Sequence, residues 1–590
     1  MNCYLKYPLM GLPLGLILVG NVSLGVENST QQPQFKLQPK KTDSFSFISQ
    51  TQFPLVQNYS SEPSEEISTE SCPQIEERLS QTQPIQIWIN RLGQAIKNES
   101  TVLDSQEIEK NIQPILKQKS LSQQELETAI ANTITLNYLE QGFITSRAEV
   151  VPSSTETIMI KVIEGKITAL QIQGRERLNQ SYICNRLLRG ITTPFNTLQL
   201  EDQLRLFRSD PLLNNVEASL RPTGNPGESL LRVKVEEAQP FSMGFSFDNY
   251  SPPSIGSEQL AVGLSYLNLT GIGDIVTASY QHSTTGGADI LDVSYQVPLN
   301  ARNGTLQLRV APYWTEITQA PFDQLDIQGQ TDRYELSYRQ PLIRSTREEL
   351  ALSLGFTYQD GQTFVFEDRP FPFGIGPDED GVSRTSVFKF AQEYIHRDPL
   401  GSWLLRSEFG LGTSLFDATD NSGSIPDGQF FKWLAQAQRV QQLNQNLLLI
   451  LQAELQLSAD SLLPSQQLIL GGGQSLRGFR QNVRSGDNGF RLSIENRWTV
   501  ARNSAGSPII QIAPFLDMGA VWNVPDNPNS IPEENVIAGA GLGFLWRDIF
   551  GLNGLSLRLD YGLPLVEIED RGNNIQDDGL YFKINYQPRF

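Results

Sequence analysis

The sequence predicts a sixteen-stranded antiparallel transmembrane β-barrel preceded by two small α+β modules. Three observations point there. From about residue 239 onward, apolar residues recur at every second position in one segment after another, the period of a pleated strand. The connections between these segments alternate between short and long, the pattern of outer-membrane barrels. No run of about 18 apolar residues occurs, so a transmembrane helix is excluded.

The chain opens "MNCYLKYPLMGLPLGLILVGNVSLGVENS". Lys6 precedes the apolar stretch from Leu9 to Gly20, and the small residues Ser23 and Gly25 follow with cleavage-site spacing. Residues 1–25 therefore read as a secretory signal peptide. Residues 26–83 are rich in Gln, Ser, Thr, Glu and Pro, as in "SSEPSEEISTES", and read as a flexible low-complexity linker. Export would place Cys72 and Cys184 in an oxidising compartment, where one disulfide is allowed. Their spacing neither requires the bond nor matches a metal site.

Residues 84–165 and 166–238 repeat one order of elements, β-α-α-β-β. In the first, "IQIWIN" is a strand, "SQEIEKNIQPIL" and "SQQELETAIANTITLNYLEQG" are helices, and "FITSRAEVV" and "TIMIKVIEG" are strands. Ser122 and Glu125 have capping-box spacing, and Leu126, Ile130 and Ile134 share a helix face. In the second, "ITALQIQG" is a strand, "NQSYICNRLLRG" and "TLQLEDQLRLF" are helices, and "NVEASLRP" and "SLLRVKVEEA" are strands. Leu200, Leu204 and Phe207 line one face of its second helix.

Residues 239–590 carry the barrel. In "ELALSLGFTY", Leu350, Leu352, Leu354, Phe356 and Tyr358 oppose Ala351, Ser353, Gly355 and Thr357. In "GLSLRLDYGL", Leu555, Leu557, Leu559 and Tyr561 oppose Ser556, Arg558 and Asp560. Short links such as "PLNARNG", "PLIRSTREE", "DPLGS" and "QLNQN" alternate with long ones at 318–330, 361–381, 416–429 and 461–488. One face of these strands is too polar to pack a dry interior, and sixteen strands enclose too wide a space for it. The polar face must line water and the apolar face must meet outer-membrane lipid, where only a closed barrel satisfies every backbone group. An even strand count leaves both ends of the barrel on the short-turn side, with the modules. The last strand, "LYFKINYQPRF", alternates up to Phe590, in the manner of a terminal signal read by barrel-assembly machinery.

Chemistry-bearing patterns are poor. The net charge of −19 repels nucleic acid. Two histidines, His282 and His396, cannot build a multi-histidine metal site. "LGGGQSLRG" lacks the Lys-Ser/Thr pair of a phosphate loop. No enzyme, metal or cofactor is expected. The unusual segment is the longest loop, "SLLPSQQLILGGGQSLRGFRQNVRSGDNGFRL". Its apolar patch (Leu468, Ile469, Leu470) suits a loop folded inward, and its glycines permit tight bends. Within a barrel, an arginine of this loop would seek a lumen carboxylate, since pairing offsets desolvation. In "QIAPFLDMGAVW" alternation turns Gln511, Phe515, Asp517 and Gly519 inward, and in "FRLSIENRW" it turns in Arg491, Ser493, Glu495 and Arg497.

Together these residues make the chain resemble the outer-membrane transporters of two-partner secretion, the haemolysin-activator or filamentous-haemagglutinin transporter type. The resemblance covers roughly residues 84–590 and is carried by "LEQGFITSRAEVV", "IMIKVIEGKI", "LLRVKVEEAQPFSMGFSFDN", "LNLTGIGD", "LRGF" and "FLDMG" in that order. It implies two periplasmic polypeptide-transport-associated (POTRA) modules and a pore in the cell outer membrane. The modules would capture an unfolded secreted partner protein and the pore would pass it to the surface. It further implies that Leu476, Arg477, Gly478 and Phe479 tuck into the lumen, with Arg477 against Asp517 and with Glu495 as the second candidate. The family often carries an N-terminal plug helix, for which "CPQIEERLSQ" is a weak match. The rival in the same superfamily is an insertase that assembles other barrels, which commonly has more modules. A passive porin would need no modules, and an enzyme would need a catalytic constellation.

Overall fold

A computed structural model of the chain describes residues 70–72 and 84–588, apart from 91, 101, 119–120, 153–156, 367 and 569–571. The signal peptide, most of the linker, the plug-helix candidate beyond Cys72, and Phe590 lie outside the described residues. The chain falls into two compact units, divided in sequence between Ala238 and Gln239.

The first unit holds two modules. In the first, the sheet order is β3-β2-β5-β4, with β2 at Ile85–Asn90, β3 at Ala95–Asn98, β4 at Arg147–Val151 and β5 at Thr157–Ile163. Helices Ser105–Leu116 and Gln123–Glu140 cover it. Ser122 and Glu125 form the reciprocal capping box: the Ser122 hydroxyl accepts from the Glu125 N–H at 3.3 Å, and Ser122 N–H donates to Glu125 Oε2 at 2.8 Å. Ile87, Ile89, Ile108, Ile112, Ile130, Ile134 and Ile160 are buried together, with Leu126 packed at their margin. The sequence pattern did not show β3. It is a four-residue strand, too short to display a period, entered through a turn at Gly93 with φ 79°.

The second module has β6 (Lys166–Gln173), β7 (Leu213–Pro222), β8 (Glu228–Glu237) and helices Gln180–Leu187 and Thr197–Arg208. Leu200, Leu204 and Phe207 are buried. Asn196 joins the modules while starting a helix. Its Oδ1 accepts from Leu198 N–H at 2.9 Å and its Nδ2 donates to Gln141 O at 3.0 Å.

The linker expectation fails at one place. Residues 70–72 are held on the second module: β1 (Glu70–Ser71) pairs antiparallel with the edge of β6, giving a sheet β1-β6-β8-β7. Cys72 and Cys184 form a disulfide across 112 residues of sequence. Both half-cystines are buried, one directly after the added strand and one on helix Gln180–Leu187. Composition hid this, because two residues of edge strand have no period and cysteine spacing carries no geometry. Cys72→Ser is expected to destabilise the module by about 2–4 kcal/mol and to free β1. Amide exchange on β6 should then accelerate; unchanged protection there would mean that β1 holds without the bond.

The second unit is the barrel. Among the described residues sixteen strands close a ring: β9 (Phe241–Asp248), β10 (Gln259–Leu267), β11 (Ile275–Ser283), β12 (Ala288–Pro298), β13 (Thr305–Glu316), β14 (Gln328–Arg344), β15 (Glu348–Val365), β17 (Val382–Asp398), β18 (Gly401–Thr413), β19 (Phe431–Asn444), β20 (Leu447–Ser458), β23 (Asn488–Arg502), β24 (Pro508–Trp522), β25 (Val536–Arg547), β26 (Leu555–Pro564) and β27 (Leu580–Tyr586). A two-residue β16 (Arg369–Pro370) doubles back on β15. Each strand pairs antiparallel with the next, and β27 closes on β9 over four residue pairs, Lys583–Asp248 to Tyr586–Phe245.

Alternation along the strands sorts the side chains. Leu354, Leu542 and Leu563 stand 63%, 52% and 52% exposed on the outside, whereas Ala351, Thr357 and Asp560 are buried. An apolar surface of this extent requires lipid rather than water. Among the described residues no helix is long and apolar enough to cross a membrane. The lumen is charged and paired: Arg309 with Asp292, Arg339 with Glu349 and Glu393, Arg406 with Glu408, and Arg491 with Glu454. The strands outlast their sequence signal. β14, β15 and β17 run for 17, 18 and 17 residues, so the loops expected at 318–330 and 361–381 contract to 317–327 and 366–381, while the one expected at 416–429 widens to 414–430. Above the lipid both faces of a strand are polar, and the period disappears while the hydrogen bonds continue.

Candidate functional site: a loop locked in the barrel lumen

The longest loop, 459–487, turns into the barrel as a hairpin of β21 (Leu468–Leu470) and β22 (Arg484–Gly486). Leu468, Leu470, Leu476 and Phe479 leave water for a small apolar cluster with Val521 and Ile537 of the wall. Leu470 occupies the space at Gly519, where a Cβ would lie 2.9 Å from its methyl group.

This apolar seat carries Arg477 to the wall. Its Nε donates to Asp517 Oδ2 at 2.7 Å and its Nη2 to Asp517 Oδ1 at 2.9 Å, a two-pronged contact. Its Nη1 donates to Glu495 Oε2 at 2.6 Å and lies 3.6 Å from Asp560 Oδ1. Its backbone N–H also donates to Asp517, at 3.1 Å. The Phe515 ring stacks 3.4 Å from the guanidinium carbon, a cation–π contact. Phe479, the aromatic residue of the loop itself, lies in the apolar cluster.

The carboxylates are themselves held. Ser493 Oγ donates to Asp517 Oδ1 at 2.6 Å, Arg497 Nε to Glu495 Oε1 at 2.5 Å, and Arg558 to Glu495 at 2.7 Å and Asp560 at 2.6 Å. Among the described residues of this cluster, the three arginines 477, 497 and 558 balance the three carboxylates 495, 517 and 560. Arg477 is 5% exposed, and Asp517 and Asp560 are 0% exposed. Burial at this depth is tolerated because charge and hydrogen-bonding capacity are both matched.

The backbone of the loop is clasped as well. Tyr581 on β27 accepts from Gly478 N–H at 2.9 Å and donates to Phe479 O at 2.6 Å. The approach is so close that a Cβ at Gly539 would lie 1.9 Å from Arg477 O, and one at Gly562 would lie 2.6 Å from Gly478 N. Gly478 itself has φ 103°, a conformation costly for any other residue.

The structure thus brings Leu476, Arg477, Gly478, Phe479, Asp517 and Glu495 together, while Phe590 lies outside the described residues. Arg477 takes Asp517 and Glu495 at once rather than as alternatives. Asp560, Arg558, Arg497, Ser493, Phe515 and Tyr581 complete the site. Alternation had turned most of them inward, but it gives the face of a strand and not the height along the barrel at which strands meet.

The chain matches the family described as haemolysin secretion/activation protein ShlB/FhaC/HecB over residues 227–545, more than half its length. The chain belongs to this family. Residues 95–165 match the ShlB-type POTRA domain. The outer membrane transporter CdiB of Dickeya dadantii strain 3937 is 25% identical over 375 residues, 61% of this chain and 64% of that protein. The chain therefore spans less than two thirds of that relative's length. CdiB from Escherichia coli superposes with a TM-score of 0.63 at 22% identity, covering 83% of this chain and 89% of that one. BamA from Haemophilus ducreyi lacking POTRA domains 1–3 superposes at 0.52 with 14% identity, covering 83% and 99%. At these identities the two structures speak for the fold. The family places this member in the outer membrane, with its N-terminal POTRA modules in the periplasm.

Proposed function

We propose that the chain is the pore of a two-partner secretion system. Its periplasmic modules capture an unfolded exported protein, and its barrel passes that protein to the cell surface. The observation that carries this reading is the Arg477 lock: a wide, charged lumen closed by a folded-in loop is a conduit held shut rather than a packed core. The modules support it, since a passive porin needs none. The superfamily alternative, an insertase, shares the barrel and has the BamA likeness behind it.

Deleting the gene in its own cell separates the two. Mass spectrometry of surface and medium is expected to show the loss of one large exported protein, with other outer-membrane barrels at normal levels. A general fall in barrel proteins would instead mark an insertase.

The outward residues Ile584 and Tyr586 of β27 stand exposed to lipid, and Phe590 continues their alternation in the sequence. Removing Phe590 is expected to lower the heat-modifiable barrel band severalfold without stopping export across the inner membrane. An unchanged band would show that the assembly machinery reads another segment.

A further inference from the structure

A second loop crosses the outer mouth and takes no part in the Arg477 lock. Residues 368–381 double back on β15 through Arg369–Pro370, and Phe371 N–H donates to Thr363 O at 3.0 Å. The segment then leaves its own wall. Asn529, in the loop 523–535 after β24, grips the backbone of Ile375 twice. Its Nδ2 donates to Ile375 O at 3.1 Å, and its Oδ1 accepts from Ile375 N–H at 3.2 Å. One residue on, Gly376 O accepts from Asn421 Nδ2 at 2.7 Å, in the loop after β18. β15 and β24 stand six strands apart in the ring of sixteen, so these contacts are made across the mouth and not along the rim.

The far anchor is well built. Asn529 N–H donates to Asn527 Oδ1 at 2.9 Å, and Asn523 Nδ2 donates to Asn529 O at 2.8 Å. Asn527 Nδ2 donates to Asp487 Oδ2 at 2.8 Å. Asp487 is 0% exposed and also accepts from the N–H groups of Leu462 and Val524, each at 3.0 Å. The crossing segment is seated tightly. Gly376 is buried with φ 135°, and a Cβ there would meet Leu463 at 2.8 Å and Pro426 O at 3.2 Å. Its own bonds, by contrast, are neutral, and Ile375 is 43% exposed. Such bonds contribute modestly because water replaces them readily. A firm anchor with a weak grip is the construction of a clip.

We propose that residues 368–381 are a strap across the outer mouth, clipped by Asn529, that must open before an exported chain can leave. The second clause rests on the transport reading above; the first does not.

The test uses the full-length protein carrying Ile375→Cys and Asn529→Cys, joined after folding by a short bis-maleimide. Conductance is read in planar lipid bilayers in an Arg477→Ala background, so that the inner lock does not mask the mouth. Bridging is expected to hold the conductance down. Asn529→Ala, without the bridge, is expected to raise the open fraction roughly tenfold or more, the shift produced by losing its two hydrogen bonds to Ile375. If bridged and unbridged pores conduct alike, the strap is no barrier and the proposal fails. If the cysteine pair prevents folding, Gly376→Val lifts the strap by collision with Leu463 and Pro426; no gain in conductance from it overturns the proposal equally. Bridging on intact cells, with Arg477 restored, should stop secretion. Conductance lowered by the bridge with secretion unaffected would leave the strap a closure and overturn its place in transport.

Discussion

Arg477→Ala is expected to cut secretion by more than an order of magnitude while the barrel remains in the outer membrane and heat-modifiable on a gel. The substitution leaves Asp517, Glu495 and Asp560 facing only Arg497 and Arg558 in a site where two of the carboxylates are 0% exposed. Removing one partner of a fully buried pair costs about 3–5 kcal/mol. Water in the lumen lowers this, and a remaining cost of about 2 kcal/mol would reduce the seated loop roughly thirtyfold relative to the released one. Arg477→Lys should fare little better, since an ammonium cannot reproduce the two-pronged contact with Asp517. Reversing the pair, Arg477→Asp with Asp517→Arg, sets a carboxylate against Glu495 and Asp560 and should restore little. Secretion at normal levels in Arg477→Ala would remove the lock from the mechanism, whatever its geometry.

Removing residues 84–165 is expected to abolish secretion and leave the barrel folded. The first module has its own core, built from its own sheet and helices. What its loss takes is sheet edge. Extended chains bind by adding a strand to such edges, and in the second module the β6 edge already carries β1. Among the described residues the first module offers β3 as a sheet edge with no strand beyond it, whereas β4 is met at Ala148 by Thr135 of the second helix. Cargo in the medium at the normal level after this deletion would move capture to the second module or to the pore.

Much of this architecture was legible in the sequence because lipid imposes a simple rule on it. Leu350 to Tyr358 alternate since one side meets hydrocarbon and the other water. Ile130 and Ile134 repeat at four since one helix face meets a core. Where no such two-sided environment exists, the text falls silent: β3 and β1 are too short for a period, and Gln328–Asp332 of β14 and Gln359–Thr363 of β15 are polar on both faces. The lock was half legible. Alternation placed Asp517 and Glu495 inward, and the family resemblance put Arg477 against the first. That Asp560 and Arg558 of β26 stand at the same height depends on register and strand tilt, which alternation does not carry. Tyr581, on the polar face of the last strand, gave no sign of its role, because a tyrosine in a barrel strand usually marks the lipid boundary.

The close contact between the loop tip and the wall also bears on descent. Relatives with about a quarter of their residues in common have exchanged most side chains, and barrels absorb such drift easily on either face. Gly539 and Gly562 cannot drift in this way. Any Cβ at either position would enter the space of Arg477 or Gly478, so even alanine there must displace the arginine. The history of the wall is thus tied to the history of the loop. Lineages that lose these glycines should be the ones that have also lost Arg477, and the two losses should fall on the same branches of the family tree.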